Sequence, residues 1–359
     1  AWEAQGMVPR DVLRAMGDMG WLGMRYDSEH GGSELDPLAT VVLAEELGRS
    51  TYGGFAVTVL VHTDMASPHL HHAGNEAQKR AFMPALCSGE KIAAVAMTEA
   101  DAGSDLASMR TTARADGHDW ILNGSKHFIS GPCMPDFAIV FAATGEDETP
   151  RGPRKRVTAF LVDVGLPGFE CREGNKCVSY KGYKNYQLSF DNVRLGPGQI
   201  LGEEWRGLEL SGQWLGMGRI WVRATCCGKA ERILGLATEW AASRRQFGQP
   251  IGNFQATGFR LADMAIGLRT ADLLVRDAVA RAEAGNLQDA DAAMVKVYCS
   301  EMLGRVADDT VQIYGGMGLM EELPIQRLWR DSRLERIWDG TSEIQRHIIT
   351  RAILRPLGA

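Results

Sequence analysis

In LERIWDGTSEIQRHIITR, residues 334–351, one carboxylate, Asp339, stands beside Gly340 and Thr341 between two amphipathic helical segments. Asp-Gly is ordinary turn chemistry, because glycine accepts a positive φ and aspartate bonds its own backbone. The turn explains the local shape and leaves the use of the acid open. A second group stands in AMTEADAGSD, residues 96–105, where Thr98 and Glu99 end an apolar run and Gly103 and Ser104 sit in a small-residue loop. Such a loop offers hydroxyls and backbone N–H groups to the polar edge of a ligand with no side chain in the way. Metal chemistry is not expected. The histidines of HLHHAG (His69, His71, His72) lack other ligands at a metal-site spacing, and the seven cysteines, with Cys226 and Cys227 adjacent, form neither a metal motif nor a disulfide framework. Most read as buried thiols.

Hydrophobic periodicity supplies the elements that must position these groups. Leu13, Met16 and Leu22 recur at helical spacing, as do Val42, Leu43, Glu46 and Leu47, on either side of the Gly-rich turn EHGGSELD. An N-terminal helical domain is expected over residues 1–93. The pattern then changes to short β-rich runs, among them IAAVAMTE, DWIL, FAIVFAAT, RVTAFLVDV and YQLSFDNVRL. Asp116-Gly117 and Asn123-Gly124 between such runs are hairpin signals, so residues 94–205 are expected to form a middle antiparallel β domain. The basic stretch 151–156 reads as a solvated loop. From 206 to 359 long helical patterns return, with Leu261, Met264, Ala265, Leu268, Val275 and Val279 as a packing stripe and Gly285 closing it. The fold class is therefore α+β, mostly α, ending in a four-helix bundle.

Composition narrows the function classes. The chain has 359 residues, 45% of them hydrophobic and 23% charged, which suits a globular protein of two or three subdomains. A net charge of −6 without a basic stripe or an aromatic RNA-binding box excludes nucleic acid as the expected partner. No apolar run approaches about 18 residues, so no membrane span is expected. No signal-peptide pattern opens the chain, which predicts a cytoplasmic protein or, in a eukaryote, one of the mitochondrial matrix. The chain begins on Ala1 rather than methionine, which predicts sequence upstream of it.

Four motifs in order, AMTEADAGSD, SRRQFGQPI (243–251), QIYGGMG (312–318) and IWDGTSEIQR (337–346), resemble those of the acyl-CoA dehydrogenases, and the similarity runs over nearly the whole chain. The resemblance implies FAD as cofactor and α,β-desaturation of an acyl-CoA thioester. Asp339 then occupies the place of the general base, which is glutamate in most members, and the family's other base location is Gly218 here. Met97, Thr98, Gly103 and Ser104 would hold the flavin, with Ser104 also reaching the substrate. Phe128 would stack near the flavin ring, and Ser130 would donate toward its N5. Arg244, Phe247, Gln312, Gly315 and Gly316 match positions that reach the cofactor across a subunit interface, implying a homotetramer, a dimer of dimers. Thr341 and Glu343 match further FAD positions, and Arg219 and Gly340 match substrate positions. An electron-transfer flavoprotein is the implied acceptor.

The departures from the family pattern are Ala100 in place of the usual proline, Asp339 itself, and the aromatic and lysine content of SYKGYKNYQL. Most of the family's first helix is also expected to be missing. The acyl pocket is expected to draw on residues 53–64 and 180–186, with Asp64 read as a solvated helix residue or, alternatively, as a second carboxylate for a cyclic substrate. Two other functions stay open at this point: a nitroalkane oxidase-like or other flavin oxidase or monooxygenase on the same fold, and a non-catalytic scaffold.

Overall fold

The computed structural model describes residues 2–131, 134–150 and 152–357, with the backbone alone for 3, 4 and 213–217. Six helices come first: α1 (Trp2–Gln5), α2 (Arg10–Asp18), α3 (Pro37–Arg49), α4 (Gly53–Leu60), α5 (Ser67–Ala73) and α6 (Glu76–Cys87). The strands β1 (Ala93–Ala96), β2 (Thr112–Asp116), β3 (Asp119–Gly131) and β4 (Phe137–Thr149) follow, then β5 (Gly152–Asp163), β6 (Phe169–Glu173), β7 (Lys184–Leu195) and β8 (Ile200–Leu201). Helix α7 (Gly207–Ser243) leads to a small hairpin, β9 (Arg245–Gln246) and β10 (Gln249–Pro250), and then to α8 (Gln255–Glu283), α9 (Asp289–Tyr314), α10 (Ile325–Leu334) and α11 (Ser342–Leu354). This is the mostly helical α+β class that the sequence leads one to expect. Residues 1–35, 57–177 and 181–215 form one compact unit, and residues 36–56, 178–180 and 216–359 form a second.

Local chemistry sets the helix starts. Asn75 and Gln78 form a reciprocal capping box at α6, and Asp36 accepts from the Ala39 N–H at α3, where Pro37 fits the first turn. In the first unit the sheet has the order β6-β7-β3-β2-β4-β5-β8, with β1 beside β4. Alternate residues of β4 and β5 feed two cores. Phe137, Ile139, Phe141 and Leu161 pack with Leu70, Met83 and Leu86, whereas Val140, Phe160 and Val162 pack with Trp120, Leu188 and Leu195.

Five expectations need correction. The sheet is mixed, because β1 and β2 each run parallel to β4. Asp116-Gly117 does close the β2–β3 hairpin, but Asn123-Gly124 lies inside β3 at a register shift. Gly124 has φ +139, and a Cβ there would lie 2.7 Å from Thr111 Cα, so the glycine serves a bulge and a close backbone approach. The basic stretch is not a free loop: from Gly152 on it is strand β5, and Arg156 Nε donates to Asp147 Oδ1 at 2.6 Å. Arg151 lies outside the described residues. Asp64 is not solvated. It is buried in a π-helical segment, Val61–Ala66, where it accepts from Arg25 Nη2 at 2.7 Å and Thr63 Oγ1 at 2.6 Å, so its charge is already matched. Finally, Val42 is exposed on α3, as is Ala265 on α8.

In the second unit α7 is buried continuously from Ile220 to Ala230, and α9 buries Val295, Cys299, Leu303, Val306 and Ala307. Helix α8 buries Met264, Ala271, Val275, Ala278 and Val279, but leaves Phe259, Ile266 and Leu273 exposed at seven-residue spacing.

Candidate active site

The residues expected to meet a flavin ring belong to the first unit, where a buried ion pair ties Met97 and Thr98 to the strand that carries Phe128. Lys126 Nζ lies 2.8 Å from Glu99 Oε1 and donates to the Met97 carbonyl at 2.9 Å. Glu99 also accepts the backbone N–H groups of Arg110 at 2.6 Å and Thr111 at 3.0 Å. Burial pushes the Glu99 carboxyl up, but Lys126 and these N–H donors outweigh it, so its pKa is lowered. The pair fixes both ends of one bond: His127 N donates to the Thr98 carbonyl at 2.8 Å, setting Phe128 beside the end of β1. Phe128 has φ 55 and remains 62% exposed. Gly103 and Ser104 are exposed, with nothing within 4 Å of a Cβ built on Gly103. The Ser130 hydroxyl engages the Tyr183 hydroxyl.

The second unit holds Asp339 in a buried charged network. Its turn is doubly left-handed, with φ 54 at Asp339 and 84 at Gly340. The Asp339 carbonyl accepts from Arg219 Nε at 3.2 Å and Gln345 Nε2 at 3.1 Å, while Thr341 caps α11 through its hydroxyl. Asp339 Oδ2 accepts from Arg223 Nη2 at 3.2 Å. Another arm of Arg223 binds Glu335 Oε2, which also accepts from Trp338 Nε1 at 2.8 Å. Glu335 Oε1 takes the Tyr180 hydroxyl and Lys229 Nζ, the latter at 3.0 Å. Burial pushes Asp339 up; Arg223 opposes this, Glu335 reinforces it, and the pKa ends raised. Burial also acts on Glu335, but Lys229, Arg223, Tyr180 and Trp338 outweigh it and hold that carboxyl at about 2.

The remaining expected residues lie at another part of this unit. Arg244 follows α7, and Phe247, with φ 52 and 93% exposed, tips the β9–β10 hairpin. Gln312, Gly315 and Gly316 at the end of α9 are also exposed. Trp240 and Tyr314 stack at 4.5 Å, and the Tyr314 hydroxyl donates to the Leu236 carbonyl at 3.0 Å, so the two turns are clamped side by side. Glu343 is exposed in the first turn of α11, away from the buried network.

Sequence reasoning missed Lys126, Arg223, Lys229, Lys296 and Glu335. Their one legible signal is charge set among apolar residues at helical or strand spacing. Tyr180, expected in an acyl pocket, is a buried partner of Glu335.

The chain matches, in order, the N-terminal domain of acyl-CoA dehydrogenase over residues 1–90, the middle domain over 94–193 and the C-terminal domain over 206–354. An acyl-CoA dehydrogenase of Bacillus subtilis is 35% identical over 346 residues, covering 96% of this chain and 90% of the relative. The structure of butyryl-CoA dehydrogenase from Megasphaera elsdenii matches with a TM-score of 0.91 at 32% identity, over 98% of this chain and 92% of that one. A chain solved in work on the electron transferring flavoprotein of Acidaminococcus fermentans and flavin-based electron bifurcation gives 0.92 at 31% identity, over 98% and 91%. Such a fold defines a flavin-dependent oxidoreductase. The chain belongs to the acyl-CoA dehydrogenase family, FAD-dependent enzymes of acyl-CoA oxidation.

The residues present fit FAD. An aromatic ring held outward on a strained backbone, an exposed glycine with no side chain in the way and hydroxyl-bearing residues in the same unit suit a flat polar ring system. An exposed arginine with glycine backbones close by suits a pyrophosphate. Lys126→Met leaves Glu99 buried without its cation, and the expected cost is about 3–5 kcal/mol. Urea unfolding midpoints measure the loss, and flavin absorbance per chain should fall as the Thr98–Phe128 cradle loosens.

Proposed function

We propose that this chain desaturates an acyl-CoA thioester with Asp339 as the general base. The observation that carries the reading is the buried carboxylate on a strained turn, with a raised pKa and a backbone carbonyl held from two sides. Burial strips water from the acid and makes it a stronger base toward an α proton. Bound FAD supplies the acceptor for the β hydrogen, which leaves as hydride. The residues that would hold its ring are Met97, Thr98, Gly103, Ser104, Phe128 and Ser130. Thr341 and Glu343 would hold it from the turn that bears the base. Arg219, Ser104 and Gly340 would orient the thioester, and the Asp339 N–H would donate to its carbonyl oxygen as negative charge develops.

Arg244, Phe247, Gln312, Gly315 and Gly316 would serve FAD of a neighbouring protomer in a homotetramer. The exposed apolar residues Phe259, Ile266 and Leu273 on α8 support an assembly, since one face of a long helix is left without cover. An electron-transfer flavoprotein would take up the electrons. No described helix is long and apolar enough to cross a membrane.

Asp339→Asn keeps the turn, because asparagine also tolerates a positive φ, but removes the proton acceptor. The variant should retain FAD and bind thioester while anaerobic flavin bleaching slows by about 100- to 10,000-fold. Bleaching at the wild-type rate would return Asp339 to a structural role. Peroxide released at the rate of turnover in air would favour an oxidase instead.

Arg244→Ala tests the cofactor arm of the reading, since it removes a charge-assisted bond expected to span two protomers. Flavin content and assembly mass should both fall. A variant with unchanged absorbance ratio and unchanged mass by light scattering would make Arg244 a simple surface charge.

A further inference from the structure

Aspartate is one methylene shorter than glutamate, and something must hold the shorter acid where it can reach an α proton. In this chain the candidate is Arg223, a fully buried side chain on α7. Its Nη1 binds Glu335 and its Nη2 binds Asp339 Oδ2, so one planar guanidinium bridges two carboxylates four residues apart. Glu335 is itself held by Lys229, Tyr180 and Trp338, which makes it a fixed anchor. The Arg223 guanidinium lies over the Trp338 ring, 5.8 Å from the centroid, which restricts it further.

We propose that Arg223 is the positioning residue of Asp339: anchored on Glu335 through one arm, it fixes the short carboxylate through the other. This rests on the reading of Asp339 as the base. The charged groups that act on Asp339 are Arg219 and Arg223 from α7, Lys296 from α9 and Glu335 just beyond α10, while α11 contributes the neutral Gln345. Arg223 lowers the Asp339 pKa and Glu335 raises it, so the two partners have opposite signs. Lys296 is buried with no hydrogen-bond partner for Nζ among the described residues; burial and Arg223 lower it to about 7, so it adds positive charge mainly below that pH.

A base works only when ionised, so the rate of flavin reduction falls as pH drops through its pKa. Removing Arg223 should move that acid limb to higher pH, and removing the charge of Glu335 should move it lower. The test is anaerobic flavin reduction by a saturating thioester across pH, with α-protio and α-deutero substrate, on the FAD-loaded enzyme. Arg223→Met should shift the limb up by about one unit, slow reduction about 10- to 100-fold and enlarge the α-deuterium isotope effect, with a smaller change in half-saturation. Glu335→Gln should shift the limb downward. Arg223→Lys, which keeps the charge but not two fixed donors, should hold the limb near its wild-type place while reduction still slows.

Losses that scale only with flavin content or thermal stability, with the rate per bound flavin and the limb unmoved, would overturn the proposal. So would shifts of the same sign in Arg223→Met and Glu335→Gln. If Arg223→Met does not fold, the other pair decides: Arg223→Lys must slow reduction per bound flavin with the limb in place and Glu335→Gln must shift the limb downward, and failure of either overturns the proposal. Absence of reduction in the wild type with every thioester overturns both this inference and the reading it rests on. Reduction in the wild type with unmoved limbs overturns this inference alone.

Discussion

The Glu335 carboxylate is the contact on which the second unit depends. Both its oxygens are used: one by Tyr180 and Lys229, the other by Arg223 and Trp338. Through them a single acid ties two points on α7 to the short segment 178–180 and to the turn that bears Asp339. A carboxylate taken out of water would ordinarily be pushed toward neutrality, and here the two cations and two neutral donors reverse the sign. The folded-state pKa lies below the ordinary one, so the stabilisation is full above the ordinary range of about 4.5 and is lost as pH falls toward about 2. Buried pairs of this kind are costly to break rather than cheap to make. Removing one partner costs about 3–5 kcal/mol because the other charge is left uncompensated.

Backbone strain gathers at the same places. Among the described residues, seven that are not glycine have positive φ, and four of them are Phe128, Tyr180, Phe247 and Asp339. Each such conformation costs on the order of 1–3 kcal/mol and persists only where surrounding contacts over-determine it. At Asp339 those contacts are two donors to its carbonyl and the Arg223 bond to its carboxylate. At Phe128 the neighbouring His127 N–H is tied to Thr98, and Thr98 is tied through Glu99 to Lys126. Buried ion pairs thus stand behind both strained turns, one in each unit, and fix in place the residues through which the chemistry is proposed.

The succession of helical, β and helical regions was legible because each has its own hydrophobic period, and the four motifs were legible because they are contiguous in the chain. What stayed hidden depends on tertiary partners. Asp64 looks like any polar helix residue until Arg25 is seen against it, and Asn123-Gly124 looks like a hairpin until Thr111 is found pressed on Gly124. Arg223, Lys229 and Lys296 stand in helices whose apolar periodicity argues for a packed bundle, and periodicity says nothing about which charges a bundle encloses. Glu335 precedes Asp339 by one helical turn, a spacing that brings two acids together only if a cation lies between them. That cation is 112 positions from Glu335.

Holding the base and strengthening it are competing demands. A guanidinium that fixes Asp339 also stabilises its ionised form, which makes it a weaker proton acceptor, whereas burial acts in the opposite direction and is the larger effect. Glu335 moderates the conflict: by sharing Arg223 it withdraws part of the positive charge from Asp339 and adds a negative neighbour of its own. A lone arginine would position the carboxylate at the expense of its basicity. An arginine shared with a second, saturated carboxylate keeps the geometric hold and gives back part of the basicity, which is why the short base and the buried Glu335 belong to one arrangement.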